Sequence, residues 1–148
     1  MTVMNVAVSG KSGTGHITTG DAIDSSFLNT QGHEVPVVTL ESIMGLVPKG
    51  AKVMVKMDIE GSEYDALYGT SRDVLDRIST LCVEFHDTQH EPLSGYVSHV
   101  KKHPLHTEAY LLQYLVKMGL HSVWALNFFE VVNGQTTPSP VSVRKFVH

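Results

Sequence analysis

The chain is poor in the features that most often give a sequence away. It has one cysteine, one tryptophan and few charges, with Lys, Arg, Asp and Glu making up 18% of 148 residues. A single thiol, Cys82, cannot close an internal disulfide, so the fold holds without covalent staples, in keeping with a reducing compartment. No run approaches the roughly 18 consecutive apolar residues of a spanning helix, so no membrane span is expected. The first nine residues lack a basic stretch followed by an apolar one, so no secretory signal is read and a cytoplasmic location is expected. There is no internal repeat and no low-complexity segment. Basic stripes interleaved with aromatics are also missing, which argues against nucleic acid as a partner.

What remains is a globular composition. Apolar residues make up 42% of the chain, enough for one hydrophobic core, and the length fits a single domain over residues 1–148. The formal charge of −4 is unevenly spread, with nine acids against four bases in residues 51–100. Acidic chemistry is therefore to be sought in the middle of the chain.

Pattern and punctuation predict a series of short elements. Val3–Val8 reads as a strand and Ser9–Gly15 as a turn, with another short strand at His16–Thr19. Residues 20–34 read as irregular, and Val35–Val38 as a strand placed at a sheet edge by Pro36. Thr39 caps a brief helix through Met44. Lys52–Asp58 is the best strand, followed by a helix over Ser62–Tyr68 that Gly69 stops. A second short helix, Ser71–Ile78, leads into the strand Thr80–Phe85. A weak helix is read at Tyr96–Lys102, after a loop with Pro92. Thr107 caps a stronger helix, Glu108–Met118, ended by Gly119. Ser122–Leu126 and Val141–Phe146 are the last strands, separated by a Gly- and Pro-containing connection near Asn133–Pro140. Alternating strands and helices predict an α/β fold with a mostly parallel sheet covered by helices. The final pair, with no helix between them, is expected to be antiparallel. Trp124, Phe128, Phe129, Leu111, Leu112 and Leu115 read as core.

Chemistry is expected at strand ends. Apolar residues on both sides of Lys52–Asp58 suggest a strand buried on both faces, yet Lys56 and Asp58 lie two apart, on one face. An unpaired buried charge is costly, so these two must pair or lie at an opening. In an open α/β sheet that opening is at the C-terminal ends of the strands, where Asp58 and Glu60 fall. Gly61 and Ser62 then begin a helix whose backbone N–H groups are expected to point at the same place. The next strand ends in Glu84, Phe85 and His86. If the two strands are neighbours, Lys56, Asp58, Glu60, Glu84 and His86 converge on one rim.

Other motifs carry less. Gly10-Lys11-Ser12 echoes the end of a P-loop, but the pattern needs glycine where Asn5 stands. Gly13-Thr14-Gly15 echoes a dinucleotide turn, but Thr18 occupies the third glycine position. Among nine histidines, His86 and His90 are four apart, and His99 and His103 would share a helix face. Pro104 ends that helix, His106 follows it, and no cysteine cluster or HExxH accompanies them. They read as surface or capping residues, and no metal is assigned. Asp58, Glu84 and His86 are the set an ion would use.

The run Lys56-Met57-Asp58-Ile59-Glu60-Gly61-Ser62-Glu63, with Leu67 and Gly69 after it, resembles the KIDVEGAE…L.G signature of FkbM-type methyltransferases. Asn5 to Ser9 with Lys11 to Thr14 is similar to the family's NAAVSDKSGT segment. Val35 to Leu40, with Glu41 and Ile43, resembles VPVVTLDDLL, and Leu81 to His86 is similar to IVLEVH. The four blocks run in the family's order over residues 5–86.

The resemblance implies a Rossmann-like fold and S-adenosylmethionine as donor of a methyl group to an oxygen or nitrogen of a small molecule, sugar or lipid. It places Asp58, Glu60, His86 and Lys56 in the catalytic site, with Glu84 or His86 as base. It places Val6, Ala7, Val8, Ser9, Asp58 and Gly61 at the cofactor. The matching blocks begin at the family's third strand, so the first two family strands and their glycine-rich turn are expected to be missing. On that expectation the domain is N-terminally truncated and binds the cofactor weakly, or not at all, by itself. The Val3–Val8 strand would lack its family neighbour, and the Lys52 strand would have an exposed edge through which copies could associate. An inactive remnant serving as a binding or oligomerising module is the alternative.

Overall fold

The computed structural model describes residues 1–19, 26–29, 32–86, 105, 107–132 and 135–148. Four strands form the first sheet: β1 (Ala7–Val8), β2 (Gly13–Thr19), β3 (Ser26–Asn29) and β4 (His33–Val38), in the order β1-β4-β2-β3. Helix α1 (Leu40–Gly45) follows, then β5 (Val53–Met57), α2 (Glu63–Tyr68), α3 (Arg72–Leu75) and β6 (Ile78–His86). Helix α4 (Glu108–Lys117) precedes the long pair β7 (His121–Val132) and β8 (Gln135–Val147). The second sheet has the order β5-β6-β8-β7.

The expected mostly parallel, Rossmann-like sheet is replaced by two mixed sheets. Among the described residues, β1–β4 and β5–β6 pair in parallel, while β2–β3, β2–β4, β6–β8 and β7–β8 are antiparallel. Parallel neighbours need a crossover of a dozen or more residues. The β5–β6 pair has α2 and α3 as its crossover. The last two strands pair antiparallel, as expected, but they are much longer than 122–126 and 141–146. Phe129 pairs with Pro138 and Val132 with Gln135, so most of the expected connection is strand.

Two further expectations change in the first sheet. Strand β4 is not an edge, because it lies between β1 and β2. Pro36 is tolerated there because β1 reaches only Val37 and Val38, leaving β2 as its one ladder partner at that point. The strand at the N-terminus has a neighbour after all, in β4.

Helix ends follow the sequence closely. The Thr39 side chain accepts from the Ser42 N–H, and that of Thr107 accepts from the Tyr110 N–H. Gly69 closes α2, and Gly119 takes a φ of 89° after α4. The predicted helix over 71–78 shrinks to α3, because β6 starts as early as Ile78. Arg77 donates to the carbonyls of Met44 at 3.0 Å and Val47 at 2.9 Å, tying the end of α1 to the start of β6. The helix read at 96–102 and the Pro92 loop lie outside the described residues, as do His90, His99, His103 and His106.

The core lies between the helices and one face of the second sheet. Leu81, Val83 and Phe85 alternate inward from β6 and join Tyr64, Leu67, Leu111, Leu115 and Phe146. Leu111 and Leu115 are core as expected, and Leu112 packs against it half-buried. Trp124 is not core: it is 51% exposed, on a strand whose register shifts between Ser122 and Trp124. The side chains of Phe128 and Phe129 lie outside the described residues. Ser142 and Arg144 both donate to Glu108, which fixes the start of α4 on β8.

Tyr68 and Tyr114 meet edge to face with ring centroids 5.0 Å apart, and their hydroxyls donate to the carbonyls of Leu105 and Thr70. Burial raises both phenols above the ordinary value of 10.0. The folded chain then keeps protons that the unfolded chain releases, so stability falls as pH rises above 10. In urea unfolding at stepped alkaline pH, Tyr114→Phe should lose stability less steeply than the wild type. Equal slopes would remove this pair as the cause.

Candidate active site

The site grows from the ends of two adjacent parallel strands. Register pairs Lys56 with Cys82 and Met57 with Val83, so Asp58, just past β5, comes beside Glu84 of β6. Strand β5 is an edge strand with one open face, not a strand buried on both faces, and Met54 on that face is 76% exposed. This open face explains how a lysine fits within the strand. Lys56 Nζ donates to Asp58 Oδ2 at 2.8 Å, with both side chains in contact with solvent. The Asp58 hydrogen bond holds the lysine pKa above its ordinary value.

Between β5 and α2 the chain makes a tight left-handed turn. Glu60 has a φ of 54° and Gly61 one of 96°. A non-glycine residue there carries strain of about 1–2 kcal/mol. Glu63, whose side chain is fully buried, braces the turn: it accepts from the N–H of Ile59 at 2.9 Å and of Gly61 at 2.8 Å. The expectation of free N–H groups at the start of this helix is therefore corrected. The Gly61 N–H goes to Glu63, and that of Ser62 to the Ile59 carbonyl.

His86 completes the arrangement from the end of β6. Its side chain is only 5% exposed, with Nδ1 3.1 Å from Glu63 Oε1 and Nε2 3.3 Å from Glu60 Oε2. Burial lowers the imidazolium pKa, but the Glu63 hydrogen bond and the charges of Glu63, Glu60 and Glu84 outweigh it, so the net shift is upward. Glu84, half-buried, is also shifted upward, by burial first and then by repulsion from Asp58. The expected convergence on one rim is thus realised, with Asp58, Glu60 and His86 each placing one ligating atom within 4.8 Å of the others. That trio contains Glu60 where the sequence pointed to Glu84.

Two cavities lie along β5 and along α2. One, of about 350 Å³ and largely apolar, runs along β5 from Val53 to Ile59 and is walled by Val8, Leu40 and Met44. The other, of about 460 Å³, lies between Ser9 to Lys11 and the end of α2 at Asp65, Tyr68 and Gly69. The N-terminal residues expected at one cofactor are therefore divided, with Val8 facing the first cavity and Ser9 the second. Val6 and Ala7 are half-buried and line neither. Gly10 and Gly69 permit the close approach there: a Cβ on Gly10 would fall 2.4 Å from the Asp65 carbonyl oxygen.

Glu63 is the residue that reading by strand ends overlooked. The signal was present, since an acid three residues after a glutamate-glycine turn opens a helix, but its burial follows only from the later position of His86.

Carboxylates and an imidazole are gathered where the parallel strands β5 and β6 end, the end of the strands at which open α/β sheets bind ligands. The chain belongs to the FkbM methyltransferase family: the family model described as Methyltransferase FkbM domain matches residues 3–118. No curated protein and no solved structure matches the chain. Among the described residues, no helix is long and apolar enough to cross a membrane.

Proposed function

We propose that this domain serves the transfer of a methyl group from S-adenosylmethionine to an oxygen or nitrogen of a small molecule, sugar or lipid. The observation that carries the reading is an apolar cavity along β5, lined by Lys56, Met57 and Ile59, whose chain neighbours Asp58 and Glu60 gather with His86. A cavity of about 350 Å³ suits a purine, and Val8, Met44, Met57 and Ile59 offer it apolar walls. Asp58 and Glu60 would accept from hydroxyls of the cofactor or acceptor at the cavity's end. Bound S-adenosylmethionine would supply an electrophilic methyl on a sulfonium. The chain's own contribution is then alignment and removal of one proton. Glu84 is the more accessible base on the rim, whereas His86 is enclosed between Glu60 and Glu63 and acts by holding Glu60. Lys56 keeps Asp58 oriented.

The test is calorimetric titration of the full chain with S-adenosylmethionine, beside the Asp58→Asn variant. Saturable binding, even weak, that Asp58→Asn lowers tenfold or more, with an unchanged circular dichroism spectrum, is expected of a methyltransferase site. No binding at millimolar cofactor would overturn the reading. The second reading, a non-catalytic module, is favoured by one observation: β5 ends its sheet with Met54 exposed beside an unpaired edge. Failure to bind cofactor together with dimers in sedimentation would select that reading.

A further inference from the structure

Among the described residues, β5 ends its sheet, and an apolar groove runs along it. Side chains alternate down the strand. Val53 and Val55 are half-buried and Met57 is buried, whereas Lys52, Met54, Lys56 and Asp58 are exposed. The groove is walled by Val8, Leu40, Ile43, Met44 and Val47. Such an edge is a template for a further strand unless charges guard it, and lysines are common guards. Here the guard is weakened, because Lys56 is neutralised by Asp58 at 2.8 Å. That bond uses Asp58 Oδ2, and a carboxylate has a second oxygen with which to accept.

We infer that β5 pairs antiparallel with β5 of a second copy of this chain, about a two-fold axis at Val55, joining two copies of the second sheet edge to edge. Charge selects this register. Opposed residues of an antiparallel pair share a face, so a pairing centred on a residue sets exposed face beside exposed face. Centred on Met54, it would oppose Lys52 to Lys56. Centred on Lys56, it would oppose that lysine to itself, and centres further out shorten the overlap. Centred on Val55, it opposes Lys52 to Asp58, Val53 to Met57 and Met54 to Lys56, with no like charges face to face. Symmetry makes the Lys52–Asp58 contact occur twice. On the inner face, Val53, Val55 and Met57 of both copies form one apolar row. The inference rests on the second reading of the function, an associating module, and supplies its partner and register. A single strand pair is a small interface, so a reversible, concentration-dependent dimer is expected.

The experiment is sedimentation velocity of the full chain at low salt, from micromolar to near-millimolar concentration. Lys52→Glu, at an exposed position outside the rim, should weaken the dimer about tenfold by setting like charges opposite each other at both Asp58 positions. Register is read by cross-linking in a Cys82→Ser background. Val55→Cys should give a disulfide-linked dimer under mild oxidation, because this position opposes itself across the axis at a separation that a disulfide spans. Val53→Cys, opposite Met57, should not. Circular dichroism confirms that each variant folds. A monomer at every concentration would overturn both this inference and the associating-module reading. A dimer that Lys52→Glu leaves unchanged, or one that Val53→Cys links as well as Val55→Cys does, would overturn the inference alone and assign association to another face.

Discussion

Glu63→Ala is expected to destabilise the domain by about 3–5 kcal/mol, the scale for deleting one partner of a buried charged network. The substitution leaves the N–H groups of Ile59 and Gly61 and the Nδ1 of His86 without their acceptor, in a place from which water is excluded. Each orphaned donor costs about 1–3 kcal/mol, and the three are coupled through one carboxylate, so the losses do not simply add. The left-handed turn at Glu60 loses its brace at the same time. Against a typical domain stability of about 5–15 kcal/mol, such a loss lowers the melting temperature on the order of 10 °C. Glu63→Gln keeps an acceptor and should fall between Ala and the wild type. Thermal unfolding by circular dichroism decides the matter, and melting of Glu63→Ala within a degree or two of wild type would show that the network contributes little.

Phe85→Ala is expected to cost about as much by a different route. The ring is 1% exposed, 6.1 Å from Tyr64 and 6.3 Å from Phe146, the second contact perpendicular. Removing it deletes aromatic packing and leaves a cavity between β6, β8 and α2 that the sheet cannot close, a loss of about 3–5 kcal/mol. Phe85→Leu should cost less than half of that. Because Phe85 stands between Glu84 and His86, a loosened core here also disturbs the rim. Urea midpoints measure both losses, and equal midpoints for Ala and Leu would mean that the site collapses around the smaller side chain.

What could be read from the sequence follows the range of the forces involved. Helix limits were legible because Thr39, Thr107, Gly69 and Gly119 act on residues within a turn of themselves. The rim was legible because the alternation of a strand places Lys56 and Asp58 on one face wherever the strand goes. Sheet order was not, since pairing depends on chain closure at a distance. The β2–β4 ladder brings Gly13 to Val37 and Pro36 to Thr14, so that Gly13 and Pro36, with weak strand preference, are carried by β-branched partners. In the same way Phe129 opposite Pro138 continues a ladder that composition alone would break. The exposure of Trp124 and the burial of Glu63 are opposite surprises with one cause. Side-chain burial is set by what the fold brings alongside, and a large ring or a carboxylate does not announce it.

The contact of Gly10 with Asp65 and Gly69 has a consequence for how the two halves of the molecule stay together. A methyl group on Gly69 would meet Gly10 Cα and its carbonyl oxygen at 2.7 Å. Backbone rests on backbone at this junction, with no side chain able to yield. The first sheet is thus seated on α2 by missing atoms, and the smallest enlargement at either glycine would prise the floor of one cavity from its wall.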